Sequence, residues 1–191
     1  MNFNDLKSNL LQNKCVETSV QVNQRHLIDK ILARYSSEFT IFRELLQNSS
    51  DSSSSVCSIY FCKSTNSITF KNNGLVFSQA DFERLNKIAE GNPDESKIGF
   101  FGVGFYSLFS ICDDPFITSG DHSMAFFWKN DMLFTKRGVL TIHSPLTCFF
   151  LSCRDQLEIP NLDEFARFLV TSLAFESKIS LIEVSQGSRE L

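Results

Sequence analysis

The chain has 191 residues, 42% of them hydrophobic, and a formal net charge of −4, which suits one globular domain and argues against a broad nucleic-acid surface. No run approaches the roughly 18 to 20 uninterrupted apolar residues of a membrane span. The polar segment Met1 to Lys14 lacks the apolar stretch of a secretory signal, so the reading is an intracellular protein, cytoplasmic or nuclear.

Residues 1–24 are polar and weakly patterned and read as an N-terminal arm. From Arg25, Leu27, Ile28, Ile31, Leu32 and Tyr35 recur at helical spacing. A second helix is predicted from Glu38 to Asn48, with Phe39, Phe42, Leu45 and Leu46 on one face. The serine-rich patch Ser49 to Ser55, interrupted by Asp51, reads as a helix end plus a turn. Strands are predicted over Val56–Cys62 and Ser67–Lys71, followed by a turn at Asn73-Gly74. Residues 78–90 read as a helix with Phe82, Leu85, Ile88 and Ala89 inward. A loop, Gly91 to Glu95, precedes the glycines Gly99, Gly102 and Gly104 and an apolar helix around Phe105–Ile111.

From Pro115 to Ile142 the pattern predicts short antiparallel strands, with turns at Ser119-Gly120-Asp121, Lys129-Asn130-Asp131 and Arg137-Gly138. Thr147–Cys153 is a further strand. Asn161 caps a helix from Leu162 to about Ala174, with Phe165, Phe168, Leu169 and Leu173 inward. Ile179–Val184 is the last strand and residues 186–191 a tail. The order describes one α+β domain over residues 25–185: a two-layer sandwich whose mixed, mostly antiparallel sheet is covered on one face by helices. Twenty phenylalanines against one tryptophan point to a core packed with aromatic rings. The six cysteines form no CxxC pair and only three histidines accompany them; free, buried, reduced thiols suit this better than zinc.

Three groups of residues carry chemistry. In Arg43-Glu44-Leu45-Leu46-Gln47-Asn48-Ser49-Ser50-Asp51, Glu44 and Asn48 stand four apart on one helical face and Asp51 one turn on. A carboxylate there can act as general base toward a water, and a carboxamide oxygen can serve Mg²⁺, which prefers few protein ligands beside phosphate or water oxygens. An ordinary solvated helix face has the same composition. In Gly99-Phe100-Phe101-Gly102-Val103-Gly104-Phe105, the glycines allow close backbone approach to an anion ahead of a helix. The cluster follows a polar loop, not a strand, which disfavours a dinucleotide fold, and no P-loop lysine follows it. The third group, Phe70 to Val76, is a strand running into a turn, and a plain hairpin turn would read alike.

In this order the pieces resemble the GHKL superfamily of ATP-binding domains (the Bergerat fold), nearest its heat-shock-protein-90-like members. RELLQNSSDS resembles the family's N box, which implies Glu44 as the water-activating base, Asn48 as the Mg²⁺ ligand and Asp51 in the nucleotide site. GFFGVGFYS resembles the GxFGxGF phosphate box, carried here by Gly99, Gly102, Val103, Gly104 and Phe105. LTCFFLSCRD resembles the late strand whose threonine, here Thr147, sits near the adenine. The middle box departs from the family pattern Asp-x-Gly-x-Gly: Asn72 replaces the aspartate that receives the adenine amino group, Gly74 is kept, and Val76 replaces the second glycine. An asparagine carbonyl could still accept from that amino group, without the charge. Leu146 also replaces a glycine common before the threonine. The run KIAEGNPDESKIGFFGVGFYSLFS gives a narrower likeness, to the N-terminal domain of large fungal proteins akin to the sacsin and No-vein families; Asn92 to Ile98 would be the mobile part of a lid.

The resemblance implies a module that binds ATP or ADP with Mg²⁺ and hydrolyses ATP slowly at most. It also implies a protein partner or following domain that supplies a catalytic lysine or arginine. A rival of another class is a nucleotide-free scaffold acting through protein contacts, which Asn72 and Val76 favour and Glu44, Asn48 and the glycines disfavour. A histidine-kinase catalytic domain fits poorly, because too few residues precede His26 for a dimerisation helix pair.

Overall fold

The computed structural model describes residues 22–33, 39–87 and 104–187. Strands β1 (Val56–Cys62) and β2 (Ser67–Asn72) pair antiparallel. The turn between them holds Asn66 at a φ of 52°, and its side chain ties the turn to the segment after the sheet, donating to Cys153 O (2.8 Å) and accepting from Leu157 N–H (2.7 Å). β2 pairs antiparallel with β4 (Met132–Ser152), β4 with β3 (Phe116–Lys129), and β5 (Leu181–Gly187) lies parallel to β1. The sheet order is β3-β4-β2-β1-β5, a mixed and mostly antiparallel sheet.

Alternation along the strands sends Cys57, Ile59, Phe61, Ile68, Phe70, Phe149, Leu151 and Ile117 to one buried face. Helices α2 (Thr40–Asp51) and α4 (Leu162–Phe175) meet that face through aromatic rings: Phe42 against Phe61 (5.9 Å between centroids), Phe61 against Phe165 (5.9 Å) and Phe42 against Phe165 (4.9 Å), all edge-on. In α2 the buried set Ile41, Phe42, Leu45, Leu46, Ser49 repeats at three and four residues. Asn161 caps α4, its side chain accepting from the amides of Asp163 and Glu164. The opposite sheet face carries the half-buried Ser58, Tyr60, Lys71 and Phe150.

Some elements differ from the sequence reading. Helix α1 (Gln24–Leu32) buries Ile28, while Leu27 stays 37% exposed, so its inward stripe is narrower than the periodicity suggests. Helix α3 (Gln79–Arg84) starts on a Ser78/Asp81 capping box and ends early, where Asn86 and Lys87 donate to carbonyls three residues back and tighten the chain into a turn. Ile88 and Ala89 lie outside the described residues, as do Tyr35, Glu38 and Cys15. The apolar run after the glycines is a 3-10 helix, Gly104–Ser110, with Tyr106, Ser107, Leu108 and Phe109 all buried. A helix enclosed on every side shows no amphipathic period.

The largest difference is the meander. Residues Phe116 to Ser152 make one long hairpin closed by the tight turn at Asn130 (φ 54°). Ser119-Gly120 is a bulge, with Gly120 at φ 61°, and Arg137-Gly138 continues β4 opposite Met124 and Ser123. The bulge changes the parity of β3: Ile117 and Ser119 point inward before it, Met124 and Phe126 after it. The far half of the hairpin thereby covers the 3-10 helix, with Phe126 on Phe105 (5.2 Å) and Trp128 on Phe109 (5.8 Å). Its tip is clasped by α1. Asn23 Nδ2 donates to Asp131 Oδ2 (2.9 Å), Leu133 N–H to Gln24 Oε1 (2.8 Å), and Arg25 lies 4.2 Å over the Trp128 ring. Cys57, Cys62, Cys112, Cys148 and Cys153 are free thiols; burial pushes Cys112 up to about 12.

Candidate functional site

The spacing that places Leu45 and Leu46 inward turns Glu44 to the flank of α2, half-buried, and leaves Asn48 exposed one turn later. The Glu44 carboxylate lies against the backbone of Gly104. A Cβ added there would overlap Oε2 and stand 2.9 Å from Cδ, so a larger residue would have to displace the end of the Glu44 side chain. Burial raises the Glu44 pKa, and the neighbouring Arg43 guanidinium partly offsets this. The Asn48 side chain has no hydrogen bond among the described residues, while its carbonyl accepts from Ser52 N–H (3.0 Å). Asp51, half-buried, adds its charge to Glu176, whose pKa is raised first by burial, against a hydrogen bond from Ser50.

The second part of the site stands at the end of β2 and at the positions of β4 and β3 in register with it. Asn72, Thr147 and Ser119 are register neighbours across the three strands, exposed by 5%, 1% and 1%. They form a polar row on the otherwise apolar face that the helices cover. Ser119 Oγ accepts from Phe77 N–H (2.8 Å) and shares a 2.6 Å hydrogen bond with Thr147 Oγ1. Asn72 Oδ1 accepts from Gly74 N–H (3.1 Å), an Asx turn. Gly74 presses on Ser52, which ends α2: an added Cβ would overlap Ser52 Oγ and come 2.9 Å from its carbonyl oxygen. Asn73 Oδ1 accepts from Ser54 Oγ (2.9 Å), Ser55 N–H (3.0 Å) and Val56 N–H (2.9 Å), tying the turn to the start of β1. Val76 lies 3.6 Å from where a Cβ on Gly120 would be.

Of the residues singled out from the sequence, Glu44 meets Gly104, and Asn72 joins Gly74 and Thr147. The Asn72 turn abuts the helix end one turn beyond Asn48. Phe105 is a packing residue, edge-on to Tyr106 (5.5 Å) and tilted on Phe126. Gly99, Gly102, Val103 and the segment Asn92 to Ile98 lie outside the described residues. The sequence reading took Ser119 and Asn73 only as turn residues and Ser52 only as part of the serine patch. Ser119 could have been found as a polar side chain two residues after an inward Ile117. A cavity of about 340 Å³, lined by Phe42, Phe61, Ile68, Ile111 and Leu157, lies at the opposite end of the sheet, away from this chemistry.

One feature of the site suits Mg²⁺, a hard amide oxygen on Asn48 with no partner among the described residues; the Cβ side of Gly104 is occupied by the Glu44 carboxylate. No described helix is long and apolar enough to cross a membrane.

A family model described as the Sacsin domain matches residues 21–137. The human protein Sacsin is 30% identical over 118 aligned residues, which take in 52% of this chain and 3% of Sacsin. The chain thus matches a small part of the length of that relative.

Proposed function

The chain belongs to the Sacsin domain family, and on that footing we propose that it is a nucleotide-binding module of the GHKL type that holds ATP with Mg²⁺. The observation that carries the proposal is the packing of the Glu44 carboxylate on Gly104. It sets a base candidate from the helix of the first motif against the last glycine of the second. In this reading Asn48 offers its side-chain oxygen to Mg²⁺, which supplies charge neutralisation for the phosphates. Asn72 and Thr147 form the floor under the base. Glu44 sits one turn before Asn48, where it can orient a water and take its proton; burial raises its pKa, against the Arg43 guanidinium, and so makes the carboxylate a stronger proton acceptor. Hydrolysis is slow without a cation from a partner or following domain. The family's membership supports the fold comparison with Sacsin's matching segment, and the nucleotide rests on the motifs and on this packing.

The test is thermal unfolding of the purified chain with millimolar ATP·Mg²⁺, ADP·Mg²⁺ and ATP plus chelator. A ligand that binds only the native state raises the melting temperature by mass action. The expected result is a shift with ATP·Mg²⁺ that shrinks in chelator and in Asn48→Ala. No shift and no calorimetric heat would sink the proposal in favour of a nucleotide-free scaffold.

A further inference from the structure

The far half of the β3–β4 hairpin is a two-stranded ribbon. β2 pairs with β4 only from Thr147 to Ser152, so no described strand flanks Met132 to Gly138 on the side away from β3. One face of the ribbon lies on the 3-10 helix through Phe126 and Trp128. On the other face the register sets three cross-strand pairs in successive rows: Ala125 with Lys136, Phe127 with Phe134, and Lys129 with Met132. The Phe127 and Phe134 rings stack at 5.9 Å between centroids. Lys129 Nζ stands 5.8 Å from the Phe127 centroid and 5.1 Å from that of Phe134, and Lys136 Nζ stands 5.7 Å from that of Phe127. Phe134 is 36% exposed, Met132 is 53% exposed, and both lysines are exposed.

Neither ammonium group has an ion-pair partner among the described residues. The chain carries 22 carboxylates against 18 lysines and arginines, so acid is not scarce. Asp131, close by in the chain, is turned to Asn23. An exposed ring pair between two unpaired cations matches a segment of opposite charge with an apolar residue at its centre. An anionic membrane surface fits less well, since lipid-binding patches gather roughly 4 to 8 basic residues and Lys129 and Lys136 are the basic residues of these three rows. Nucleic acid also fits less well. Bases stack on open ring faces, whereas these rings face each other and the lysines. We propose that the outer face of the ribbon docks an extended acidic segment of a protein partner, its carboxylates on Lys129 and Lys136 and an apolar side chain over Phe127, Phe134 and Met132. The lysines stand two rows apart, roughly 14 Å along the ribbon, the span of about four residues of extended chain. Alternate side chains of such a chain face one way, so the segment has the form acid-x-apolar-x-acid. The face shares no residue with Glu44, Asn48, Asn72 or Thr147, so its docking role holds with or without a bound nucleotide.

The experiment is an NMR titration of backbone amide shifts in the full chain with the end-capped peptide Gly-Ser-Glu-Ser-Leu-Ser-Glu-Ser-Gly. The comparisons are the same peptide with lysine for both glutamates, phosphatidylserine vesicles and oligothymidylate. The glutamate peptide should give saturable shifts across the rows from Ala125 to Lys136. It should bind at least roughly tenfold more tightly than the lysine peptide, because two attractions become two repulsions. Its binding should weaken between roughly 0.05 and 0.5 M salt. Lys129→Glu combined with Lys136→Glu should lose the glutamate peptide and take up the lysine one; the contrast between peptides on the wild-type chain needs no variant to fold. No shift at millimolar glutamate peptide, shifts confined to residues outside the ribbon, or equal binding of the two peptides would overturn the proposal. Tighter binding of vesicles or oligothymidylate at the same amides would assign the face to a membrane or a nucleic acid and overturn it as well. So would concentration-dependent shifts there without peptide, which mark a second copy of the chain.

Discussion

Asn73 is an exposed side chain with an unusual load. Its Oδ1 takes three donors, Ser54 Oγ, Ser55 N–H and Val56 N–H, and its Nδ2 gives one hydrogen bond to Ser55 Oγ (3.0 Å). Replacing it with alanine removes all four. A net intramolecular hydrogen bond is worth about 0.5–1.5 kcal/mol, and water can replace part of each at an exposed site. The lower half of that range gives a loss of about 2–4 kcal/mol. In a chain of this size each 1 kcal/mol moves the melting temperature by roughly 2–4 °C, so Asn73→Ala should melt roughly 4–16 °C lower. Asn73→Asp keeps an acceptor for the three donors and loses only the Nδ2 bond, so its loss should stay under about 1 kcal/mol. Calorimetric melting of the three proteins at pH 7 decides the matter. If Asn73→Asp falls as far as Asn73→Ala, the oxygen is not the atom that ties the turn to β1, and the Asn72–Gly74 geometry built on that turn loses its anchor.

Glu44→Gln removes a carboxylate whose pKa burial holds above its ordinary value. A raised folded-state pKa means that the native state holds the proton more tightly; the associated stability is present at low pH and is lost as pH rises through the folded pKa. The variant should therefore unfold at a higher temperature than the wild type at pH 7, with the difference vanishing below the ordinary glutamate range; a variant less stable at pH 7 contradicts the assignment. In a preparation with measurable ATP turnover it should retain nucleotide and lose roughly 10²- to 10⁴-fold in rate. Phe165→Ala empties the centre of the ring cluster with Phe39, Phe42, Phe61 and Phe168 and should cost about 3–5 kcal/mol in denaturant unfolding; a loss under about 1 kcal/mol would mean the cluster does not hold α4 to the sheet.

The helices α2 and α4 and strand β1 were legible because each buries one face more deeply than the other, which writes a period into the residues; β2 is buried at every position but Lys71. Phe165 and Leu169, or Ile59 and Phe61, carry that period plainly. The 3-10 helix was not legible as such, since Tyr106, Ser107, Leu108 and Phe109 are buried in succession. The hairpin was misjudged because a glycine beside a polar residue reads as a turn whether it closes one or kinks a strand. Gly120 does the second, and the parity change beyond it follows from pairing that local composition cannot encode. In the site, the spacing of Glu44 and Asn48 followed from the helix alone. The contact of Glu44 with Gly104 joins residues 60 positions apart in the chain, which no local pattern reports. Asn72 was legible as a position, but the orientation of its amide depends on the backbone of Gly74, two residues on.

The clasp between α1 and the hairpin tip sets an order on folding. Asn23 and Asp131 are 108 residues apart, Gln24 and Leu133 109. Contacts at such separation are gained only after the loop between them is closed by other structure. Their Asp131 partner exists only once the β3–β4 turn has formed. The clasp should therefore dock after the hairpin and release before it. Native-state hydrogen exchange at the amides of Gln24–Leu32 would run ahead of that at β2, held between β1 and β4.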